Sequence, residues 1–261
     1  IMGYGQVSTG YKGGGINPRP FTEFQVVPFE PETLTAYEIG LKSELFERLL
    51  RLNLAAFYSD YRDIQMTLAS CPQFSDPSTP DDDFGPCAAN ANAGDARIKG
   101  IELEAALYPL TGLSIDGAVS YLDFEYSRIN PLAGGPDNPG GPQMDDVAPY
   151  TPKWKWSIGI QYEIDLGGSG YLTPGFDAAY QSDVYSNPAN SVYELVPAYT
   201  LANARLAWRN ADEDLEIALE VTNLFGEYYA ITAYDSTATA GFASMQPGRP
   251  REWAISAKKR F

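Results

Sequence analysis

Lys153-Trp-Lys-Trp-Ser-Ile-Gly-Ile-Gln-Tyr-Glu-Ile-Asp-Leu166 alternates from end to end. Trp154, Trp156, Ile158, Ile160, Tyr162 and Ile164 fall on one side at a period of two. Lys155, Ser157, Gly159, Gln161 and Glu163 fall on the other. A helix would gather its apolar residues at i, i+3 and i+4, so the stretch reads as a strand with one apolar and one polar face. The same alternation appears in Leu50–Asp60, Lys99–Tyr108, Ala198–Arg209 and Leu215–Asn223. In Ala198–Arg209, Ala202, Ala204, Leu206 and Trp208 form the apolar set, against Leu201, Asn203 and Arg205. About ten strands are expected in all. Tyr171–Gln181 is the weakest of them, because Pro174 removes a ladder donor.

The gaps between these segments alternate too. Phe46–Arg48, Pro109–Gly112, Gly167–Ser169 and Asn210–Glu213 are short. Gly14–Pro31, Gln65–Gly94, Arg128–Thr151, Ser182–Pro197 and Leu224–Arg249 are long. Strict alternation makes every strand reverse direction and puts all long loops on one side. Transmembrane β-barrels of outer-membrane type are built this way, with tight periplasmic turns and long extracellular loops. Soluble sandwiches alternate as well. Here the apolar face continues for four to six positions per strand, and Trp154, Tyr162, Tyr58, Tyr121 and Trp208 sit towards strand ends, where an interfacial girdle lies.

Composition agrees. No apolar run of about 18 residues exists, which excludes a transmembrane helix but not a barrel, where only alternate residues need be apolar. Hydrophobic content is 44% and mean hydropathy −0.27. The 34 acids exceed the 18 bases, giving a net charge of −16. Phosphate backbones need clustered Lys and Arg, so nucleic acid is not an expected partner. Asp81, Asp82 and Asp83 read as solvated loop surface or, more sharply, as a divalent-cation site. The chain has no His, which removes the commonest general base and metal ligand. No catalytic constellation and no cofactor are therefore expected. Gly13-Gly14-Gly15 lacks the Lys-Ser/Thr of a phosphate loop. Cys71 and Cys87 lie in one long loop. Two thiols cannot complete a zinc site, so they read as a local disulfide in an oxidising compartment, stabilising by about 3 kcal/mol.

Six segments carry a family resemblance: Tyr11–Pro18, Pro31–Phe46, Leu52–Gln65, Lys99-Gly-Ile-Glu-Leu-Glu104, Glu220-Val-Thr-Asn-Leu-Phe-Gly-Glu-Tyr-Tyr-Ala230, and Pro247–Trp253 running on to Phe261. In this order they resemble the C-terminal barrel of TonB-dependent outer-membrane receptors, over nearly the whole of residues 1–261. The resemblance implies about ten C-terminal strands of a 22-stranded barrel. Its plug and TonB-box segment have no match here and are expected upstream, since Ile1-Met-Gly-Tyr4 reads as mid-strand. It also implies active import of a ferric siderophore or similar nutrient across the outer membrane of a Gram-negative bacterium. A passive porin-like channel and a structural or adhesive protein are the alternatives. Expected partners are the plug and remaining strands, the TonB complex, the assembly machinery, lipid, lipopolysaccharide and the nutrient.

Ligand capture falls to loop aromatics in this reading. Phe74 and Phe84 are loop aromatics too, and Tyr185, Tyr193, Tyr228, Tyr229, Tyr234 and Phe242 are the candidates, flat rings that pack on aryl ligands and offer hydroxyls. Glu102 and Glu104 point to one face and suit a lumen. The last strand places Trp253, Ile255, Ala257 and Phe261 on the lipid parity, which resembles the signal read by the assembly machinery. Lys259 departs from that pattern and is expected to snorkel into water.

Overall fold

The computed structural model describes residues 1–68, 89–136, 138 and 140–260, leaving aside the side chains of 238 and 239. Cys71, Cys87, Asp81, Asp82, Asp83 and Phe261 lie outside the described residues, as do Phe74 and Phe84.

Ten strands form one antiparallel wall in sequence order: β1 (Met2–Lys12), β2 (Glu32–Leu45), β3 (Leu50–Leu68), β4 (Ala89–Leu110), β5 (Leu113–Ile129), β6 (Trp154–Tyr162), β7 (Tyr171–Gln181), β8 (Tyr199–Arg209), β9 (Leu215–Thr222) and β10 (Glu252–Lys259). The short and long connections alternate as read from the gaps. The wall is part of a barrel and does not close on itself. The α-helix among the described residues is a single turn, Thr237–Ala240.

Register carries the alternation from strand to strand. One apolar row runs Leu45, Leu50, Leu107, Ile115, Ile160, Phe176, Ala204, Val221, Trp253. It starts at the short-turn end of β2 and finishes at the long-loop end of β10. Neighbouring strands are thus staggered and tilted, as closure of a barrel requires. The opposite face carries Glu44, Arg51, Ala106, Asp116, Gly159, Asp177 and Asn203 along one row.

Lys153–Leu166 is not one strand. β6 ends at Tyr162, and Ile164–Asp165 pairs separately with Leu172 and Tyr171. The interruption faces Thr173 and Pro174: pairing of β6 with β7 stops at Gln161–Gly175 and resumes at Ile164–Leu172. Pro174 has no N–H to give at that point. Its strand still forms in the middle of the wall, because its other neighbour β8 pairs along the whole length.

Gln65–Gly94 is not wholly loop. β3 runs on to Leu68 and β4 begins at Ala89, so this hairpin extends well past its neighbours. The period-2 signal fails there because the register shifts between Tyr61 and Ile64 and again before Gln65. Asp63 takes φ 53°, and Gly94, at φ 155°, lies so close to Arg128 that a Cβ would strike its carbonyl oxygen. Arg128 locks the kink with Nε 2.7 Å from Asp95 and Nη2 2.9 Å from Asp63. Above it, Ile64, Met66, Leu68, Ala89, Ala93, Ala96, Tyr126 and Ala133 form a buried cluster that behaves like a small soluble core.

Candidate ligand-capture surface

The apolar face has the dimensions of a bilayer. β6 has 9 residues, from Trp154 to Tyr162, and a tilted membrane strand needs about 9–11. Aromatic rings mark both limits. At the long-loop end, Tyr37 lies 6.4 Å from Tyr58 and Tyr121 lies 4.7 Å from Trp154. At the short-turn end, Trp208 donates from Nε1 to the Ser169 carbonyl at 2.8 Å. Aromatics with one polar edge prefer such interfaces. Trp253, Ile255 and Ala257 pair with Val221, Leu219 and Ile217 on this same face. Lys259 pairs with Leu215, and its ammonium sits 2.5 Å from Asp214 in the short turn, so it has an ionic partner rather than water alone.

The other face is polar and cross-linked. Tyr4 donates to Glu38 at 2.6 Å, Asn53 to Glu104 at 3.2 Å, and Asn203 to Asp177 at 2.7 Å. Arg205 reaches Glu220 through Nε and Glu216 through Nη2, both at 2.8 Å. Glu102 shares this face with Glu104, as their spacing requires. Asp116 lays its carboxylate over Gly159, where a Cβ would come within 2.8 Å of Oδ1. Charged groups that hold one another in this way stiffen a surface lining an aqueous space.

At the long-loop end, three loops are knitted together. Val147 donates its N–H to Asn190 Oδ1, and Asn190 Nδ2 returns a bond to the Val147 carbonyl, both at 2.9 Å. The Tyr150 hydroxyl meets Thr232 Oγ1 at 2.6 Å. The Ser186 hydroxyl donates to the Ala233 carbonyl, and Ser191 to Asp235 Oδ2 at 2.5 Å. Two strand pairs, Val184–Tyr185 with Leu195–Val196 and Ala230–Ser236 with Phe242–Pro247, give the loops their shape. Val184, Val196, Ala230 and Ala233 pack together beneath Tyr199. Glu194 is 3% exposed inside this unit, and burial holds its carboxyl above the usual carboxylate range. Hydrogen bonds from Ser191 and Thr237 hold Asp235 below it.

The candidate aromatics separate. Tyr229 packs on Tyr199, ring centroids 4.8 Å apart. Tyr199 shares the parity of Leu201, Asn203 and Arg205, so this pair stands at the upper end of the polar face. Tyr234 and Phe242 meet at 6.4 Å on the side of their hairpin opposite the buried Ala233. Tyr193 and Tyr228 are 56% and 80% exposed. Tyr185 is half-buried in its short strand pair. Sequence reasoning missed Tyr199 by assigning it only to a strand; its parity with Asn203 was the available signal. Among the described residues, no three His, Cys, Asp or Glu side chains converge on a metal position.

Residues 1–224 match the family model described as TonB dependent receptor-like, beta-barrel. The chain belongs to the TonB-dependent receptors, the outer-membrane β-barrel proteins of Gram-negative bacteria, and supplies part of the barrel. Its family members are transport receptors rather than enzymes. It is 26% identical over 241 residues to the metal-pseudopaline receptor CntO of Pseudomonas aeruginosa, covering 92% of this chain and 29% of that protein. It is 26% identical over 246 residues to the pesticin receptor of Yersinia pestis, covering 94% and 32%. The crystal structure of the ferric yersiniabactin uptake receptor FyuA from Yersinia pestis superposes with a TM-score of 0.77 at 23% identity, over 99% of this chain and 35% of that one. The chain thus spans about a third of the length of the relatives it matches.

Proposed function

We propose that this wall belongs to an importer that takes a ferric siderophore or a related metal chelate across the outer membrane, driven by TonB. The observation that carries the reading is family membership over residues 1–224. Relatives described as siderophore or metal-chelate receptors support the cargo class. The plug, the remaining strands and the TonB complex are partners in this reading, and the long loops face outside the cell. Within the chain, the Tyr199–Tyr229 pair is the surface proposed to meet the cargo. Two rings at the top of a polar, rigid wall can pack on the flat organic part of a chelate while their hydroxyls face its polar edge.

The test is uptake of iron presented as a panel of ferric chelates by cells that depend on this protein. Uptake of one chelate that collapses on removal of TonB supports active import. Uptake that continues undiminished without TonB contradicts it and points to a passive channel. A Tyr229→Ala variant is expected to weaken binding of the transported chelate about two- to twelvefold, the loss of a ring contact of roughly 0.5–1.5 kcal/mol. Unchanged binding would remove Tyr229 from the site without touching the transport claim.

A further inference from the structure

The three knitted loops carry no cation. Residues 144–151, 182–197 and 224–248 hold Asp145, Asp146, Asp183, Glu194, Glu227 and Asp235 and no Lys or Arg. Asp145, Asp183 and Glu227 are exposed to water, and Asp235 has the hydroxyls of Ser191 and Thr237 on its carboxylate. Glu194 has neither remedy. It is 3% exposed, and its carboxyl accepts from the Asp235 N–H at 3.3 Å and from the Asn187 side chain. An ionised carboxylate buried without a cation costs more than two neutral donors return.

The groups that face it do not help. Ala230–Ser236, the strand packed against its turn, brings Tyr234 and Asp235, and Asp235 repels a second negative charge. Val184–Tyr185 brings Tyr185, with the exposed Asp183 just ahead of it, and the turn Val192–Glu194 itself brings Tyr193. From the loop before β6, Tyr150 gives its N–H to the Tyr185 carbonyl at 2.9 Å. Asp146, also half-buried, accepts the Gln143 N–H at 2.7 Å within that loop. A proton is thus the counter-charge at hand when the unit is packed.

The same strand leads to the cargo surface. Asp235 meets Glu194 near one end of it. At the other end, Ala230 is buried with Ala233, Val184 and Val196 beneath Tyr199, and the residue before it is Tyr229. Ser186 ties the middle by donating to the Ala233 carbonyl.

We infer that Glu194 is a proton switch on the cargo surface: protonated, it keeps Ala230–Ser236 docked and Tyr229 against Tyr199; ionised, it expels the strand and parts the two rings. The switch stands on the loop geometry, and its effect on cargo rests on the reading of Tyr199–Tyr229 as the surface that meets the chelate. Docking takes up a proton. The docked form is complete below the ordinary range of a Glu carboxyl and is lost as pH rises through the higher value that burial gives Glu194 in the packed unit.

The experiment is a distance measurement between spin labels at Val192 and Ile231, both exposed, in the complete receptor in detergent micelles. In the unaltered protein one short distance at about pH 5 should give way to a longer one as pH approaches about 8. Glu194→Gln keeps the shape without the charge and should hold the short distance throughout. Asp146→Asn should leave the transition in place. For the ferric chelate that the uptake panel shows to be carried, affinity should fall several-fold over the same interval relative to Glu194→Gln. A distance that does not change with pH, a transition that survives in Glu194→Gln, or one that Asp146→Asn removes would overturn the switch. A transition with no relative change in affinity would overturn its tie to Tyr199–Tyr229 and leave import untouched. Should Glu194→Gln fail to assemble, Glu194→Met, unbranched and uncharged, takes its place under the same readings.

Discussion

Asn223 shows how much one residue can settle. It sits at φ 51°, a region that short amide side chains tolerate better than most. It is 5% exposed, and its Nδ2 donates to the Glu227 carbonyl at 2.8 Å and to the Arg249 carbonyl at 3.2 Å. Its Oδ1 accepts the Glu227 N–H at 2.7 Å. The residue turns the chain and ties the start of loop 224–251 to its end. Asn223→Ala should destabilise the loop base by about 2–3 kcal/mol, because it removes three part-buried hydrogen bonds and strains the turn. Asn223→Gly keeps the turn and should lose less. Amide exchange across 224–251 reads both; equal protection in all three proteins would contradict this role. The motif Asn223-Leu-Phe was visible in the sequence, but its meaning was not, since the carbonyl of Arg249 arrives from the far end of the loop. The turn after β2 carries a different lesson. Phe46, Glu47 and Arg48 take φ of 53°, 56° and 74° without a glycine among them. Glu47→Gly should therefore raise stability to heat in detergent, by about 1 kcal/mol once the greater freedom of the unfolded chain is offset. A fall in unfolding temperature would refute the strain.

Among the elements, the loop unit built on Glu194 and Asp235 has a predictable response to pH. Its packed form is favoured by a neutral Glu194, whose folded pKa is raised by burial, and by an ionised Asp235, whose folded pKa is lowered by Ser191 and Thr237. The Glu194 contribution is full below its unfolded value and is lost as pH rises through the raised folded value. The Asp235 contribution is present above its unfolded value and is lost as pH falls through the lowered one. Amide exchange in 184–196 and 230–236, corrected for intrinsic rates, should thus be slowest in a mildly acidic window. Glu194→Gln should abolish the loss on the neutral side; an unchanged profile would contradict the assignment. None of this could be read from sequence, where Glu194 is one acid among 34 and its burial depends on a strand, Ala230–Ser236, that arrives from another loop. The wall strands themselves were legible, because each has one face on apolar surroundings and one on polar. Legibility failed where that condition lapsed, at Pro174 and above the bilayer in β3 and β4. The final strand keeps it: Trp253, Ile255 and Ala257 hold the outward row. The proposal that they and Phe261 form the assembly signal predicts that deleting Phe261 lowers the amount of barrel in the outer membrane more than the stability of barrel already assembled. Unchanged levels would leave Phe261 an interfacial anchor.

For the molecule as a whole, everything rests on the two faces meeting two solvents. The spacing of turns and loops gave the meander, and the staggered apolar row from Leu45 to Trp253 gave the tilt. The direct measurement is a spin-label scan along β6, one label at a time from Trp154 to Tyr162, in the protein reconstituted into bilayers. Labels at 154, 156, 158, 160 and 162 should be accessible to oxygen, which dissolves in lipid. Labels at 155, 157, 159 and 161 should instead be accessible to a water-soluble paramagnetic reagent, or shielded from both where the lumen is filled. Accessibility without a period of two, or with its phase reversed, would contradict the assignment of this chain as a barrel wall between lipid and lumen.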